Sequence, residues 1–501
     1  ERPQVVLESG DQGRVLHGQF GARDADEGDD VGSPRGQHQW LDEDVFRRLK
    51  LRSLQAAREA TRPVPQQAHV RLLLERHGVI VDALGSKSIA AMEGIEGVAN
   101  VIAQLGGVPL PVSLWESQVL PARVRDYQPG MLDELIATGA VLWAGHARLG
   151  DDDGLVSLHL QATADETLAR SATDDAGLPP RRQAILRVLA DGGAYFARQL
   201  AETVSRQVSN AAMDADAETF HAALWALVWA GRVTSDTWSP LRALSGARTR
   251  ARQRALPLSR RRQRMPGFPV RGGAGIGAGG GAGQGGSMIA EAVASPTLVG
   301  RWALVPRGDV SDTVRMLALA EGLLDRHGVV TRGAAVLESV DGGFPALQPV
   351  YRSMEDAGKV LRGRFVEGLG GAQFADRGTI DRLRAIADAP ADAAQPVVAL
   401  SVLDPASPFG SIMPWPDHPT GQRPPRRAGA LVVLGGGRPL LHLAPGGRSL
   451  LTWIHPADPL LPAAAQALAD ALRRGRRLTF ALELVDDAVI ARGPLADALR
   501  A

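Results

Sequence analysis

The sequence predicts an α+β fold in which a unit of three helices and a β-hairpin recurs, followed by a small β-rich module. Three observations carry this. An amphipathic helix closes three times on a small residue and Gly-x-Val before a β-like stretch: LIATGAV (135–141), LVWAGRV (227–233) and MEDAGKV (354–360). The segment RHGV occurs twice, at 76–79 and 326–329, each time ending an amphipathic helix. From about Val397 to Trp453 the chain changes to short apolar runs punctuated by Gly and Pro.

In the repeated pattern, Gly139, Gly231 and Gly358 stand where a left-handed helix C-cap is wanted, and the following valine starts a strand. The second copy is the easiest to follow. Ile185, Leu186, Val188 and Leu189 mark a first helix stopped by Gly192 and Gly193. Phe196 and residues 200–204 fit a short second helix, and Phe220, Leu224, Leu227 and Val228 form the stripe of a third. RVTSDTWSPLRAL (232–244) then reads as a strand pair of wing size. Three helices and a β-wing make a winged helix.

The third copy repeats this order. A helix from about Ser311 ends at His327-Gly328, a second covers 332–339, and a third opens at Phe344-Pro345, where proline suits a first turn. Phe344, Leu347, Tyr351 and Met354 share one face and read as core. VVALSVL, GALVVLGGG, LLHLAPGG and RSLLTW then read as strands of a small barrel or curled sheet, and the tail as one more helix and strand. The fold class is therefore α+β, with tandem winged-helix modules plus a small β-barrel module.

The expected divisions are a partial or poorly ordered segment 1–40, helical and winged-helix modules 41–165, a winged helix 176–246 and an Arg/Gly-rich tether 247–287. A winged helix 288–377, a β-barrel module 378–460 and a helix-strand unit 461–501 follow. Residues 21–39, acidic and glycine-rich, and residues 247–286, arginine-rich and then almost pure Gly and Ala, cannot bury apolar surface and read as linkers. The arginine half of the second is also a candidate phosphate-binding arm.

Length and composition fit this plan. The 501 residues suffice for several domains, roughly three to five. Hydrophobic residues are 45% and charged residues 22%, as in ordinary globular protein. The net charge is only +1, so any basic surface must come from uneven distribution. Of 56 cationic residues, Lys50, Lys87 and Lys359 are the lysines; guanidinium forks suit phosphates, although a GC-rich genome produces the same bias. There are no cysteines, which excludes disulfides, thiolate zinc and iron-sulfur clusters. No apolar run approaches the ~20 residues of a membrane span, no membrane partner is expected, and the cytoplasm is the default location. The start at Glu1 without methionine leads us to expect a piece of a longer polypeptide.

Chemistry is sparse. No G-x-x-x-x-G-K-[ST] loop exists, because the one lysine that follows a glycine, Lys359, precedes Val360, so no autonomous P-loop ATPase is expected. The eleven histidines are scattered, with no H-x-x-x-H or H-E-x-x-H, so no metal is expected. The most unusual stretch is RGRFVEGLGGAQF (362–374). Arg362 and Arg364 can neutralise phosphates, Gln373 can hydrogen-bond a base edge and Phe374 can stack on one, unless Phe365, Val366 and Phe374 are simply core.

The run GGFPALQPVYRSMEDAGKVLRGRFVEGLGGAQFADRGTIDRLR (342–384) closely resembles the C-terminal region of bacterial large helicase-related proteins (Lhr). So do WESQVLPARVRDYQPGMLDELIATGAVLWAGH (115–146), LDPASPFGSIMPWP and RRAGALVVL, within 403–434. The resemblance covers most of the chain from about Leu41. It implies an ATP- and magnesium-dependent superfamily 2 motor, absent here, acting on single-stranded DNA and RNA:DNA hybrids in DNA repair. It also implies winged helices with a β-barrel that self-associate into a homo-oligomer, a tetramer among the options, beside an N-terminal helicase core. No cofactor is expected in this chain itself. Arg123, Arg125, Arg426 and Arg427, within these runs, join Arg362 and Arg364 as nucleic-acid-contact candidates.

The arrangement is also similar to AlkZ/YcaQ-type DNA glycosylases, which raises an enzymatic alternative acting on damaged or uracil bases. A glycosylase needs a carboxylate or amide at an extruded base. Asp404 is the candidate carboxylate and Gln373 the candidate amide, although Asp-Pro is a common turn and the glutamine-x-glutamine signature occurs only at 37–39, in a linker. Trp453 is a candidate base-stacking residue, with a barrel-plugging role as the plain alternative. A third reading is a winged-helix scaffold that binds protein.

Overall fold

A computed structural model describes residues 15–18, 39–42, 44–45, 47–49, 51–53, 62–80, 92–168, 175–207, 218–245, 295–306, 310–389, 396–475, 481–489 and 494–499. The expected linkers lie outside the described residues, except that Gln39 to Asp42 pairs antiparallel with Val15 to Gly18.

Helix α1 (Gln66–Arg76) is followed by the short strand β1 (Met92–Glu93), α2 (Gly94–Gln104) and β2 (Leu110–Pro111). Strand β3 (Val124–Arg125), α3 (Pro129–Ala137) and the long hairpin β4 (Val141–Leu149) and β5 (Asp153–Leu160) complete the first unit. Helix α3 starts on a proline, where the missing N–H costs nothing, and buries Leu132, Leu135 and Ile136. Gly139 follows at φ +76°, and Gly231 and Gly358 adopt +66° and +73° at the matching places, so all three repeated glycines occupy the left-handed region expected of them.

The second unit comprises α4 (Pro180–Ala190), β6 (Tyr195–Phe196), α5 (Ala197–Gln207), α6 (Phe220–Trp229) and β7 (Val233–Ser235). Its wing departs from expectation. Residues 232–244 supply only β7; the central strand is β8 (Arg301–Leu304), which pairs antiparallel with β6 on one side and β7 on the other. Burial explains this. Trp238 is fully enclosed and edge-on to Trp143, which draws the chain inward where a return strand was expected, and Trp302 packs edge-on to Trp143 and Trp225 to bring β8 into the same core. Residues 296–304, which fall inside the expected 288–377 division, thus pack and pair with the second unit.

The third unit contains α7 (Asp312–His327), α8 (Arg332–Leu337), α9 (Gly343–Asp356), the wing β9 (Leu361–Gly363) and β10 (Gln373–Ala375), and α10 (Arg377–Ala387). Its core also takes Val64, Val70, Leu72 and Leu74 from α1 and the residues before it. Val64 pairs with the wing through its N–H to the Phe365 carbonyl, and Glu367 returns a bond to the Val64 carbonyl.

The β-rich region is an open six-stranded sheet, not a barrel. Strands β11 (Val397–Ser401), β12 (Leu431–Gly435), β13 (Arg438–Leu443) and β14 (Ser449–Thr452) run antiparallel in order. After α11 (Leu461–Arg474), β15 (Leu484–Val485) joins β14 in parallel and β16 (Ala488–Val489) forms the far edge, so the tail extends this sheet. Among the described residues β11 and β16 do not pair. The apolar runs have a different cause from a barrel lining. Leu431 and Val433 face α11, whereas Val432 and Leu434 face the third unit, so both faces are covered and near-continuous hydrophobicity results.

Candidate nucleic-acid interface

Asp404 lies in the turn after β11, where its carbonyl accepts from the Ser407 N–H. Arg123 Nη1 donates to Oδ2 at 2.9 Å and Nη2 to Oδ1 at 2.7 Å, and both side chains are 0% exposed. The Ala406 N–H adds a third bond at 2.8 Å. Burial by itself raises a carboxyl, but the Arg123 guanidinium, with smaller help from His77 and the Ala406 amide, holds Asp404 below the usual carboxylate range. A carboxylate enclosed and paired in this way has no path to a sugar or water. The expectation of Asp404 as a catalytic group is therefore corrected, as is that of Arg123 as a nucleic-acid contact.

Gln373 and Phe374 are corrected too. The Gln373 Oε1 accepts from the N–H groups of Phe365 and Val366 at 2.7 and 2.9 Å, while Nε2 donates to the Val366 carbonyl at 2.9 Å. This amide holds the wing turn from inside and cannot reach a base. Phe374 is buried and stacked on Tyr351, ring centres 5.0 Å apart, which is the core alternative.

Arg426 is largely enclosed and donates to the carbonyls of Ser407 and Phe409 at 2.7 and 3.0 Å; burial pushes its pKa down to about 10. It braces its own loop, a correction to its expected contact role. Arg125 is exposed but pairs with Glu93 at 2.7 Å. Arg427, Arg362 and Arg364 are exposed. Trp453 is partly exposed and stacks on Trp415.

Comparing the third helix of each unit separates them. The α3 surface is acidic: Asp133 accepts from Arg242 at 2.8 Å and Glu134 is exposed. Helix α6 has no charged residue, and its Trp229 ring lies against Gly154, where a Cβ would collide with it. Helix α9 differs from both. Opposite its buried stripe of Phe344, Leu347, Tyr351 and Met354 it exposes Pro345, Pro349 and Arg352, and Lys359, Arg362 and Arg364 continue the exposed basic face onto the wing. Among the described residues no carboxylate pairs with these four cations; Asp356 and Glu367 are the exposed acids of the same segment. Sequence reasoning missed Arg352 and Lys359. The signal for Arg352 was the helical spacing that sets it off the stripe of Phe344, Leu347, Tyr351 and Met354.

Two family profiles described as "Large helicase-related protein, winged-helix domain" match residues 64–161 and 309–395. These are Lhr winged helices. The chain is 48% identical over 470 residues to "Lhr helicase/uracil glycosylase" of Escherichia coli (strain K12), covering 92% of this chain and 29% of that protein. It is 41% identical over 493 residues to "Lhr helicase/ probable uracil glycosylase" of Mycolicibacterium smegmatis, covering 98% of this chain and 30% of that protein. The chain thus spans under a third of the length of these relatives. Among solved structures, Streptomyces sahachiroi DNA glycosylase AlkZ aligns over 85% of this chain and 100% of its own at 13% identity, with a TM-score of 0.43.

The two Lhr winged helices interlock. Helix α1 opens the 64–161 match but packs on α7 and α10 of the other domain. This sets the duplicated RHGV ends together. Arg76 donates to the carbonyls of Asp325 and Leu324 at the C-terminus of α7, at 2.8 and 3.2 Å, and a His69 ring nitrogen lies 3.1 Å from the His327 carbonyl. An arginine at a helix C-terminus satisfies orphan carbonyls and complements the dipole. No described helix is long and apolar enough to cross a membrane.

Proposed function

We propose that the chain is the nucleic-acid-engaging region of a DNA-repair helicase of the Lhr type, acting beside a helicase core that uses ATP and magnesium, and that the 309–395 winged helix makes its main phosphate contacts. The observation carrying this is the exposed basic face of Arg352, Lys359, Arg362 and Arg364, set against an acidic α3 and a covered α6. Arginine and lysine at a recognition helix and wing neutralise phosphates without reading sequence, so single strands and RNA:DNA hybrids are both suitable substrates. The first two units then serve as a scaffold, and self-association belongs to the same reading.

The test is binding of single-stranded and forked DNA across a salt series. Each phosphate contact contributes roughly 0.7 to the slope of log K against log salt on single strands. The combined Arg352→Ala, Arg362→Ala and Arg364→Ala variant should lower that slope by about 2. An unchanged slope sets the proposal aside.

The relatives' names also carry a uracil glycosylase, and 48% identity over 92% of this chain is what brings that second reading here. It predicts alkali-sensitive sites in uracil-containing oligonucleotides after incubation with the chain. Because Arg123 encloses Asp404, Asp404→Asn should not change uracil release per folded molecule. Absence of scission above a protein-free control removes this reading.

A further inference from the structure

Three aromatic rings form a column in the β-rich region. Phe409 stacks on Trp415 with centres 5.5 Å apart and planes 21° from parallel, and Trp415 stacks on Trp453 at 5.6 Å and 11°. Phe409 and Trp415 are buried, whereas Trp453 is partly exposed, so the column runs from the interior to the surface and ends on an indole. Gly410, at φ +76°, is required beside it, because a Cβ there would lie 2.7 Å from the Trp415 Nε1.

The terminal indole is held in place. Its N–H donates to the Pro416 carbonyl at 3.3 Å, and the His418 ring stands at 80° to it, 5.1 Å away. His418 is in turn fixed between Thr420 and the Thr452 carbonyl, at 2.8 and 3.0 Å. The loop that carries Trp415 and His418 also exposes Arg423 and Arg427, for which no carboxylate partner occurs among the described residues, and one acid, Asp417.

We propose that this column is a second nucleic-acid contact, in which one unpaired base stacks on Trp453 and adjoining phosphates meet Arg423 and Arg427. An oriented, partly wet indole backed by two parallel rings offers a flat π-face already ordered before binding, so little side-chain entropy is lost when a base adds to it. Every base has such a face, so the contact selects unpaired over paired nucleotides without selecting sequence. The inference rests on the reading that the chain engages nucleic acid, but uses a different unit from the 309–395 winged helix.

The test compares a twelve-nucleotide oligo-dT with a twelve-unit abasic strand of equal charge, using the full chain. A single base stack should favour oligo-dT by about 5-fold or more, from the ~1–3 kcal/mol typical of base-aromatic stacking. Trp453→Leu, which keeps apolar bulk, should bring the ratio near 1 with an unchanged salt slope, and Trp453→Phe should restore most of it. A wild-type ratio near 1, or a preference that persists in Trp453→Leu, overturns the proposal. A salt slope that responds to Arg352, Arg362 and Arg364 in the same experiment shows that the broader reading survives that outcome; no binding to either strand ends both.

Discussion

Arg123 and Asp404 lie 281 residues apart in the chain and meet in a two-point ion pair sealed from solvent, which ties the first Lhr winged helix to the open sheet. Removing one partner leaves an uncompensated buried charge, which costs about 3–5 kcal/mol, whereas replacing both with apolar groups is often neutral. Asp404→Ala should therefore lower the denaturant midpoint far more than the double change Arg123→Met and Asp404→Leu. Equal shifts would mean that the pair bears no buried charge. Because the folded carboxyl titrates below its unfolded value near 3.9, its contribution is present above that pH and is lost as pH falls through the lower folded value.

The buried histidines give a second pH dependence at a higher window. Thr167 donates its hydroxyl to the Thr163 carbonyl at 3.0 Å, so it accepts from His159 Nδ1 at 2.8 Å. His159 Nε2 is then an acceptor for the Ser157 hydroxyl at 2.7 Å, and Ser157 accepts from His146 at 2.7 Å. Burial lowers the pKa of His159 to about 3, and those of His69 and His442 to about 4. Unfolded histidine titrates near 6.5, so the unfolded chain binds these protons first. Stability should be intact above about pH 6.5 and fall steadily toward pH 4. His159→Gln should make the slope of stability against pH shallower in that range, and an identical slope would contradict the neutral assignment.

Gly154 and Trp229 couple the first two units. A Cβ at residue 154 would run into the Trp229 ring, so Gly154→Ala must displace the indole or the hairpin. Overpacking of this kind costs about 1–3 kcal/mol. The expected readouts are a lower midpoint and a red-shifted tryptophan emission. Wild-type values for both would show that the contact yields freely.

The Gln373 amide supports the wing that presents Arg362 and Arg364. Gln373→Leu leaves the Phe365 and Val366 N–H groups without their acceptor, at about 1–3 kcal/mol for each buried group. The third winged helix should lose hydrogen-exchange protection at the wing, and DNA affinity should fall without any base-sequence dependence. Loss of preference for one particular base would instead restore the base-reading role.

Local signals were strong enough for the sequence to determine the repeated units. Gly139, Gly231 and Gly358 mark helix ends because a positive φ is a property of the backbone at one residue. The stripe of Phe344, Leu347, Tyr351 and Met354 likewise follows from helical spacing, and its burial agrees with it. Tertiary structure decided which residues those units bury or expose. Arg123, Asp404, Gln373 and Arg426 have the chemistry of a binding site in one dimension, yet each meets a partner that spacing does not reveal, and their charges or amides are spent within the fold. The second unit's wing and the open sheet were decided at the same level. β8 reaches its neighbours from residues 301–304, and a strand covered on both faces has the same apolar run as a strand in a barrel. Sequence periodicity reports whether a side chain is buried; only the folded chain determines what it is buried against.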